Sequence, residues 1–171
     1  MDKFLKNGFD QLCRVGKLLH TSPIFSGQVT KKELLDQLES SKVVFLSMVS
    51  SNEASSSLIC AETKEYPSCV YEVDKYCRLD ARDLSLISME RCYLLVLNCY
   101  SPVGHVARVH LARKCLARGC RSVVVVMSPL SDELMTWFYC LLFEGLKEDE
   151  SVSKAYIKAV CGLIEKVRKK R

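Results

Sequence analysis

The chain has 171 residues, of which 49% are apolar and 26% are charged, and its formal net charge is +5. This composition excludes an extended disordered chain, and the small number of Gly and Pro residues excludes a collagen-like or loop-dominated one. A chain of this length has room for one domain with a substantial core.

The ten cysteines do not have the pattern of a disulfide framework. Several lie within apolar runs, where a free cysteine packs as a small hydrophobic residue, and no Cys-x-x-Cys pair typical of zinc or redox sites occurs. The first residues lack the continuous apolar segment of a signal peptide. No run approaches the ~20 apolar residues of a membrane span. We therefore expect a cytoplasmic or nuclear protein that is not secreted, with no membrane span, metal ion or cofactor.

The first half of the chain predicts two helices followed by short strands. Apolar residues recur at helical spacing over residues 3–20, so residues 1–20 predict an N-terminal helix. Thr30 and Glu33 fit a capping box at the start of a second, short helix. Residues 42–49 form a continuous β-branched run typical of a strand buried on both faces, and residues 57–60 predict another strand. Residues 61–80 predict a loop with room for one edge strand.

The second half alternates between helices and strands. A short helix is predicted over residues 79–89, buried strands over 92–98 and 121–127, and helices over 106–117, 131–146 and from 151 onward. Gly119 fits a C-terminal cap and Ser131 an N-terminal cap. The last helix is predicted to turn Tyr156, Val160, Leu163 and Val167 inward. This alternation predicts an α/β fold with a mostly parallel central sheet covered by helices on both faces.

Several segments together carry a family resemblance. They read GQVTKKELL at residues 27–35, LLVLNCYS at 94–101, LARKCLARGCRSV at 111–123 and DELMTWFY at 132–139. In this order they resemble successive motifs of the CHAT domain, a caspase-like module that follows tetratricopeptide repeats and is related to caspases and separase. The resemblance covers roughly residues 12–160. It implies a caspase-like three-layer sandwich, with residues 1–171 forming a single, N-terminally truncated domain.

The resemblance places Cys99 at the nucleophile position, just past a buried strand. A caspase-type thiolate needs a nearby imidazole as its proton acceptor, and the family's histidine is expected at Ser50 or Ser51. Serine does not accept a proton near neutral pH. The residues that follow the nucleophile in the family are replaced by Tyr100 and Pro102, and proline removes a backbone N–H from a possible oxyanion site.

None of the three histidines of the sequence stands at the expected position of the base. His105, six residues after Cys99, is a substitute base that would come from the wrong strand for the family's geometry. His20 ends the first helix, and His110 lies among apolar helical residues, where a packed core position is expected. We therefore expect a pseudopeptidase rather than an active enzyme.

The resulting prediction is a catalytically inactive CHAT-like domain that acts as a protein-interaction module, within or beside a tetratricopeptide-repeat protein. One alternative is a residual cysteine peptidase that uses Cys99. Another is a binder of nucleic acid or acidic membrane, although such basic residues more often form a solvated helix face and nucleic acid is not the expected partner. The basic residues are those of the helix at 106–117 and of the C-terminal tail at 166–171, chiefly Arg108, Arg113, Lys114, Lys169, Lys170 and Arg171.

Overall fold

The computed structural model describes residues 11, 13–20, 30–50, 58–60, 78–79, 81–100, 105–127, 130–148 and 150–169. The chain divides into two compact units, a sheet unit within residues 24–129 and a helical unit within residues 2–23 and 130–171. The sheet unit contains α1 (Lys31–Ser40), β1 (Val43–Ser50), β2 (Leu58–Cys60), β3 (Arg78–Leu79), α2 (Ala81–Leu84), β4 (Leu94–Tyr100), α3 (His105–Ala117) and β5 (Val123–Val125). The helical unit contains α4 (Asp132–Lys147), α5 (Val152–Lys169) and a helical segment at 13–18.

The sheet has the strand order β3-β2-β1-β4-β5. Its β1, β4 and β5 strands are parallel, and β2 and β3 extend it with antiparallel pairings. The predicted α/β fold is confirmed, and the three apolar runs of the sequence form the parallel part. The helix expected over residues 79–89 is shorter than predicted, because it ends in i→i+3 hydrogen bonds from Ser85 to Arg82 and from Leu86 to Asp83.

Strand β4 is buried on both faces, as its continuous apolar sequence predicts. Leu95 and Leu97 point to one face, and Leu94 and Val96 to the other, and all four are at most 2% exposed. The first face carries the core of the sheet unit, to which α1, α3 and the segment before β4 contribute. Its buried members are Leu38, Leu84, Ile87, Met89, Cys92, Leu95, Leu97, Leu111, Cys115 and Cys120.

Helix α1 begins with the capping box that the sequence predicts. The Thr30 hydroxyl accepts a hydrogen bond from the Glu33 N–H at 3.2 Å, and the Glu33 carboxylate accepts one from the Thr30 N–H at 2.7 Å. These two bonds satisfy donors that the first helical turn leaves without intrahelical partners. The Thr30 N–H and, at 2.8 Å, the Thr30 hydroxyl both donate to the Glu33 carboxylate, and these two bonds lower the pKa of the carboxyl group because they favour its ionised form.

Replacement of Thr30 by alanine is expected to lower the free energy of unfolding by about 1 kcal/mol, because the N-cap acceptor is lost. Because the pKa of Glu33 is lowered in the folded state, the ionised carboxylate stabilises the fold above the ordinary pKa of the group. This stabilisation is lost as the pH falls through the folded-state pKa. Denaturant titrations at neutral and acidic pH check both statements. A Thr30→Ser variant, which keeps the acceptor, should remain close to wild type, and equal losses in the two variants would contradict the capping role.

Helix α3 ends in a Schellman motif at Gly119. The Cys120 N–H bonds to the Cys115 carbonyl at 3.1 Å, and the Gly119 N–H bonds to the Leu116 carbonyl at 3.1 Å. Gly119 has φ of +100°, a conformation that L side chains rarely adopt. The predicted C-terminal cap is confirmed.

The helical unit has its own core, formed mainly by one face of α4. Ser131 caps this helix by accepting the Leu134 N–H, and Asp132 and Glu133 occupy the first turn, as the helix dipole favours. The buried hydrophobic residues of this unit are Val15, Met135, Phe138, Tyr139, Leu142, Phe143, Ala155 and Ala159.

No helix in the described residues is long and apolar enough to cross a lipid bilayer.

The face that α5 turns inward differs from the prediction. Ala155 and Ala159 are fully buried, whereas Tyr156 and Val167 are 44% and 37% exposed. The reason is the close approach of α4, since a Cβ atom placed on Gly145 would lie 2.9 Å from the Cβ of Ala155. Small side chains fit at this point of close approach, and Val167 does not turn inward as predicted. Tyr156 is partly exposed but packs its ring edge-on against Phe138 of α4, with the centroids 5.9 Å apart, and Val160 and Leu163 are half-buried.

Candidate functional site

The candidate site lies at the carboxyl-terminal edge of two neighbouring strands. Strands β1 and β4 are parallel, with Met48 opposite Cys99 and Val49 opposite Tyr100. Ser50 is the last residue of β1, and Cys99 is the penultimate residue of β4. The backbone therefore places Cys99 and Ser50 near the ends of adjacent strands, where α/β proteins commonly bind ligands.

The other residues proposed for this site are less fully described. His105 is the first residue of α3, so it begins the helix that follows β4. Ser51 and Pro102 lie outside the described residues, as do the side chains of Cys99, Ser50 and His105.

Neither of the other histidines lies at a strand end. His20 lies two residues beyond the helical segment at 13–18, and its Nε2 is 3.1 Å from the Nζ of Lys147 within the helical unit. His110 is exposed on α3, so its predicted core position is wrong. The helical period explains the error, because Leu111 and Cys115 form the buried stripe of α3 and His110 lies about 100° away from Leu111 around the axis.

The basic residues of the sequence lie on separate elements. Arg113 is exposed and Lys114 half-buried on α3, in the sheet unit, and Lys169 is exposed at the end of α5, in the helical unit. The side chain of Arg108 and the whole of Lys170 and Arg171 lie outside the described residues.

A cluster of three buried thiols at the opposite edge of the sheet escaped sequence analysis. Cys92 and Cys120 precede the neighbouring parallel strands β4 and β5, and Cys115 lies in the last turn of α3. A hydrogen bond joins the thiols of Cys92 and Cys120, and the Cys120 thiol also donates to the Ser122 carbonyl at 3.2 Å. The position of two cysteines just before strands that start at the same edge is the signal that would have predicted this contact.

Burial and hydrogen bonding shift the pKa values of these thiols in different directions. Burial raises the pKa of Cys115 to about 12. The hydrogen bond to Cys120, followed by burial, raises the pKa of Cys92, and the same bond lowers that of Cys120 to about 7. All three side chains are shielded from solvent, so the cluster contributes packing and local hydrogen bonds rather than an accessible nucleophile.

A polar cleft also lies near the start of β4, away from Cys99. Residues of α1 and of the segment before β4 line it, and Oε1 of Glu39 accepts the Ser88 N–H at 3.0 Å. No group of three or more His, Cys, Asp or Glu side chains in the described part of the chain is arranged to hold a metal ion. The carboxyl-terminal ends of β1 and β4 thus remain the candidate site that sequence and topology have in common.

No family model matches the chain, and neither the curated proteins nor the solved structures contain a match to it.

Proposed function

We propose that this chain is a caspase-like domain of the CHAT type that lacks peptidase catalysis and acts as a protein-interaction module. The observation that supports the proposal is the parallel pairing of β1 with β4, in which Cys99 lies opposite Met48 and β1 ends two residues later at Ser50. That strand end carries Ser50, whose hydroxyl does not serve as a general base near neutral pH. A fold that keeps the nucleophile position without its base is suited to binding rather than to cleavage.

Tetratricopeptide repeats are the proposed partner, either in the same polypeptide or in another protein. Support comes from the sequence segments that resemble the CHAT domain, a module that occurs beside such repeats. Cys99 has no role in this binding, so Cys99→Ala should bind a tetratricopeptide array with the affinity of wild type.

The test compares labelling by an acyloxymethyl-ketone peptide probe in wild type, Cys99→Ala and His105→Ala. Wild type is expected to show no more probe adduct than Cys99→Ala, since no positioned base generates the thiolate. Mass mapping with iodoacetamide provides the internal standard. Exposed Cys161 should be alkylated in the folded protein, and buried Cys92 and Cys115 only after denaturation.

Probe labelling that disappears in both variants would overturn the proposal in favour of a residual peptidase that uses Cys99 and His105. Labelling that disappears only in Cys99→Ala would indicate a reactive thiol with a base supplied from elsewhere. Either result would contradict the proposed loss of catalysis.

A further inference from the structure

Helix α5 packs on α4 through a stripe of small residues. Ala155 and Ala159 are fully buried, and Gly162 follows them at helical spacing. A Cβ atom added to Gly162 would lie 2.5 Å from Cδ1 of Leu141, so the two helices are in close contact here as well. Four apolar residues of α5 are displaced toward its other side, whereas Tyr156 packs its ring against Phe138 of α4.

The displaced residues form a continuous apolar stripe, which we call the outer face: Ile157, Val160, Ile164 and Val167. Ile157 and Ile164 are 60% and 46% exposed, and they lie about 180° around the helix axis from the small-residue stripe. The spacing of three, four and three residues is that of a coiled-coil seam. A contiguous patch of exposed apolar residues is typical of an interaction surface.

Cations border the outer face on one side. Lys154 and Arg168 lie on this side of α5 and form no ion pair with any described residue, whereas Lys158 contacts Glu148 at 2.8 Å. Glu165 is the one acidic residue among the residues of α5. A partner surface must therefore offer apolar groups together with negative charge.

Three kinds of partner could cover the outer face: a second copy of the chain, a membrane surface or an acidic amphipathic helix. A second copy of the chain packed antiparallel along the seam would bring the two cationic sides together, which is unfavourable. A membrane-surface helix typically inserts Trp, Phe or Leu, whereas the outer face consists of isoleucine and valine, β-branched residues that suit the core of paired helices. An acidic amphipathic helix satisfies both the spacing and the charge.

We propose that the outer face of α5 is the docking surface for an amphipathic helix that presents aliphatic residues at heptad spacing, bordered by Glu or Asp. This proposal rests on the proposed function, since it identifies the surface and the class of partner that the interaction module uses. In the bound state, the partner helix lies along α5, covers Ile157 and Ile164, and places its carboxylates beside Arg168 and Lys154.

The test uses the full chain and a fluorescein-labelled peptide of about three heptads, with Ile and Leu at the seam positions and Glu beside them. Fluorescence anisotropy should show binding that weakens with added salt. Ile157→Ser and Ile164→Ser should each weaken it about tenfold or more, since each removes a large apolar contact. Arg168→Glu should weaken it as well, while Leu86→Ser, a matched change at an exposed residue of the sheet unit, should leave it unchanged.

Four results would overturn the proposal. They are no binding of the acidic peptide, equal binding of a version with Lys in place of Glu, self-association that Ile157→Ser abolishes, and binding to phosphatidylserine vesicles that the same variant abolishes. Since these side chains are exposed, circular dichroism should show wild-type folding of the variants. If the peptide fails to bind while a tetratricopeptide array still binds and Cys99 stays unlabelled, the docking surface is wrong and the proposed function stands. Specific labelling of Cys99 would instead contradict the proposed function.

Discussion

Replacement of Phe143 by alanine is expected to lower the free energy of unfolding by about 3–5 kcal/mol. Phe143 is fully buried in α4, beside the fully buried Tyr139 and Leu142. Truncation removes the buried ring and leaves a cavity that the neighbouring helical side chains can fill only in part, and both effects destabilise the folded state. The loss is a large fraction of the stability of a typical domain.

Urea titration followed by Trp137 fluorescence measures this effect in the helical unit. Trp137 is the single tryptophan of the chain and lies on α4, so its signal reports the element that carries the substitution. Leu86→Ala serves as the control, because Leu86 is 80% exposed and its truncation should change stability by no more than about 0.5 kcal/mol. A loss below about 1 kcal/mol in Phe143→Ala would contradict the packing described for α4.

The parallel part of the sheet could be predicted because its strands are apolar along their length. Continuous apolar runs are typical of parallel strands, and all three runs became strands of the sheet. Strand β4 is buried on both faces, whereas residues 43–46 of β1 and Val123 and Val125 of β5 are half-buried, so the complete burial predicted for those two strands is wrong. The strand at 78–79 was harder to place, since an edge strand of two residues carries no periodic pattern. The start of α1 and the end of α3 could be predicted for a different reason. The capping box of α1 and the glycine that follows α3 act through local hydrogen bonds.

The orientation of α5 could not be predicted from periodicity alone. The sequence offers two stripes, one of small residues that includes Ala155 and Ala159, and one of larger apolar residues that includes Tyr156 and Val167. A hydrophobicity pattern favours the larger residues. The choice depends instead on the distance to α4, which Gly145 shortens, and that distance is a tertiary property.

The candidate site was predicted through strand order rather than through side-chain contacts. Cys99 and Ser50 lie on adjacent strands because β1 and β4 pair in parallel, with Ser50 two residues beyond Met48, the register partner of Cys99, although residues 51–93 separate the two strands in sequence. The thiol cluster of Cys92, Cys115 and Cys120 follows the same principle at the other edge of the sheet. No local sequence pattern predicts it, because the contact depends on β4 and β5 being neighbours in the folded sheet.

The second large effect is expected at Gly119. Replacement by alanine should lower the free energy of unfolding by at least about 2 kcal/mol, because a non-glycine residue at φ of +100° is strained. The added Cβ would also lie 2.7 Å from Cγ of Glu90 and 3.1 Å from its Cα. The neighbouring backbone cannot easily give way, since Met89 donates its N–H to the Arg118 carbonyl at 2.7 Å and the Arg118 guanidinium donates to the Ile87 carbonyl at 2.6 Å.

Two further variants separate backbone strain from the steric clash. Glu90→Ala in the Gly119→Ala background removes the contact with Cγ but leaves the strained φ and the contact with Cα, so it should restore only part of the lost stability. Gly162→Ala makes the same substitution within a helix, where alanine is favoured by about 1 kcal/mol and the nearest atom is the mobile end of Leu141. Stability should therefore fall in Gly119→Ala and hold or rise in Gly162→Ala, as measured by circular dichroism in urea. Equal effects of the two substitutions would mean that the positive φ of Gly119 does not determine how α3 connects to β5.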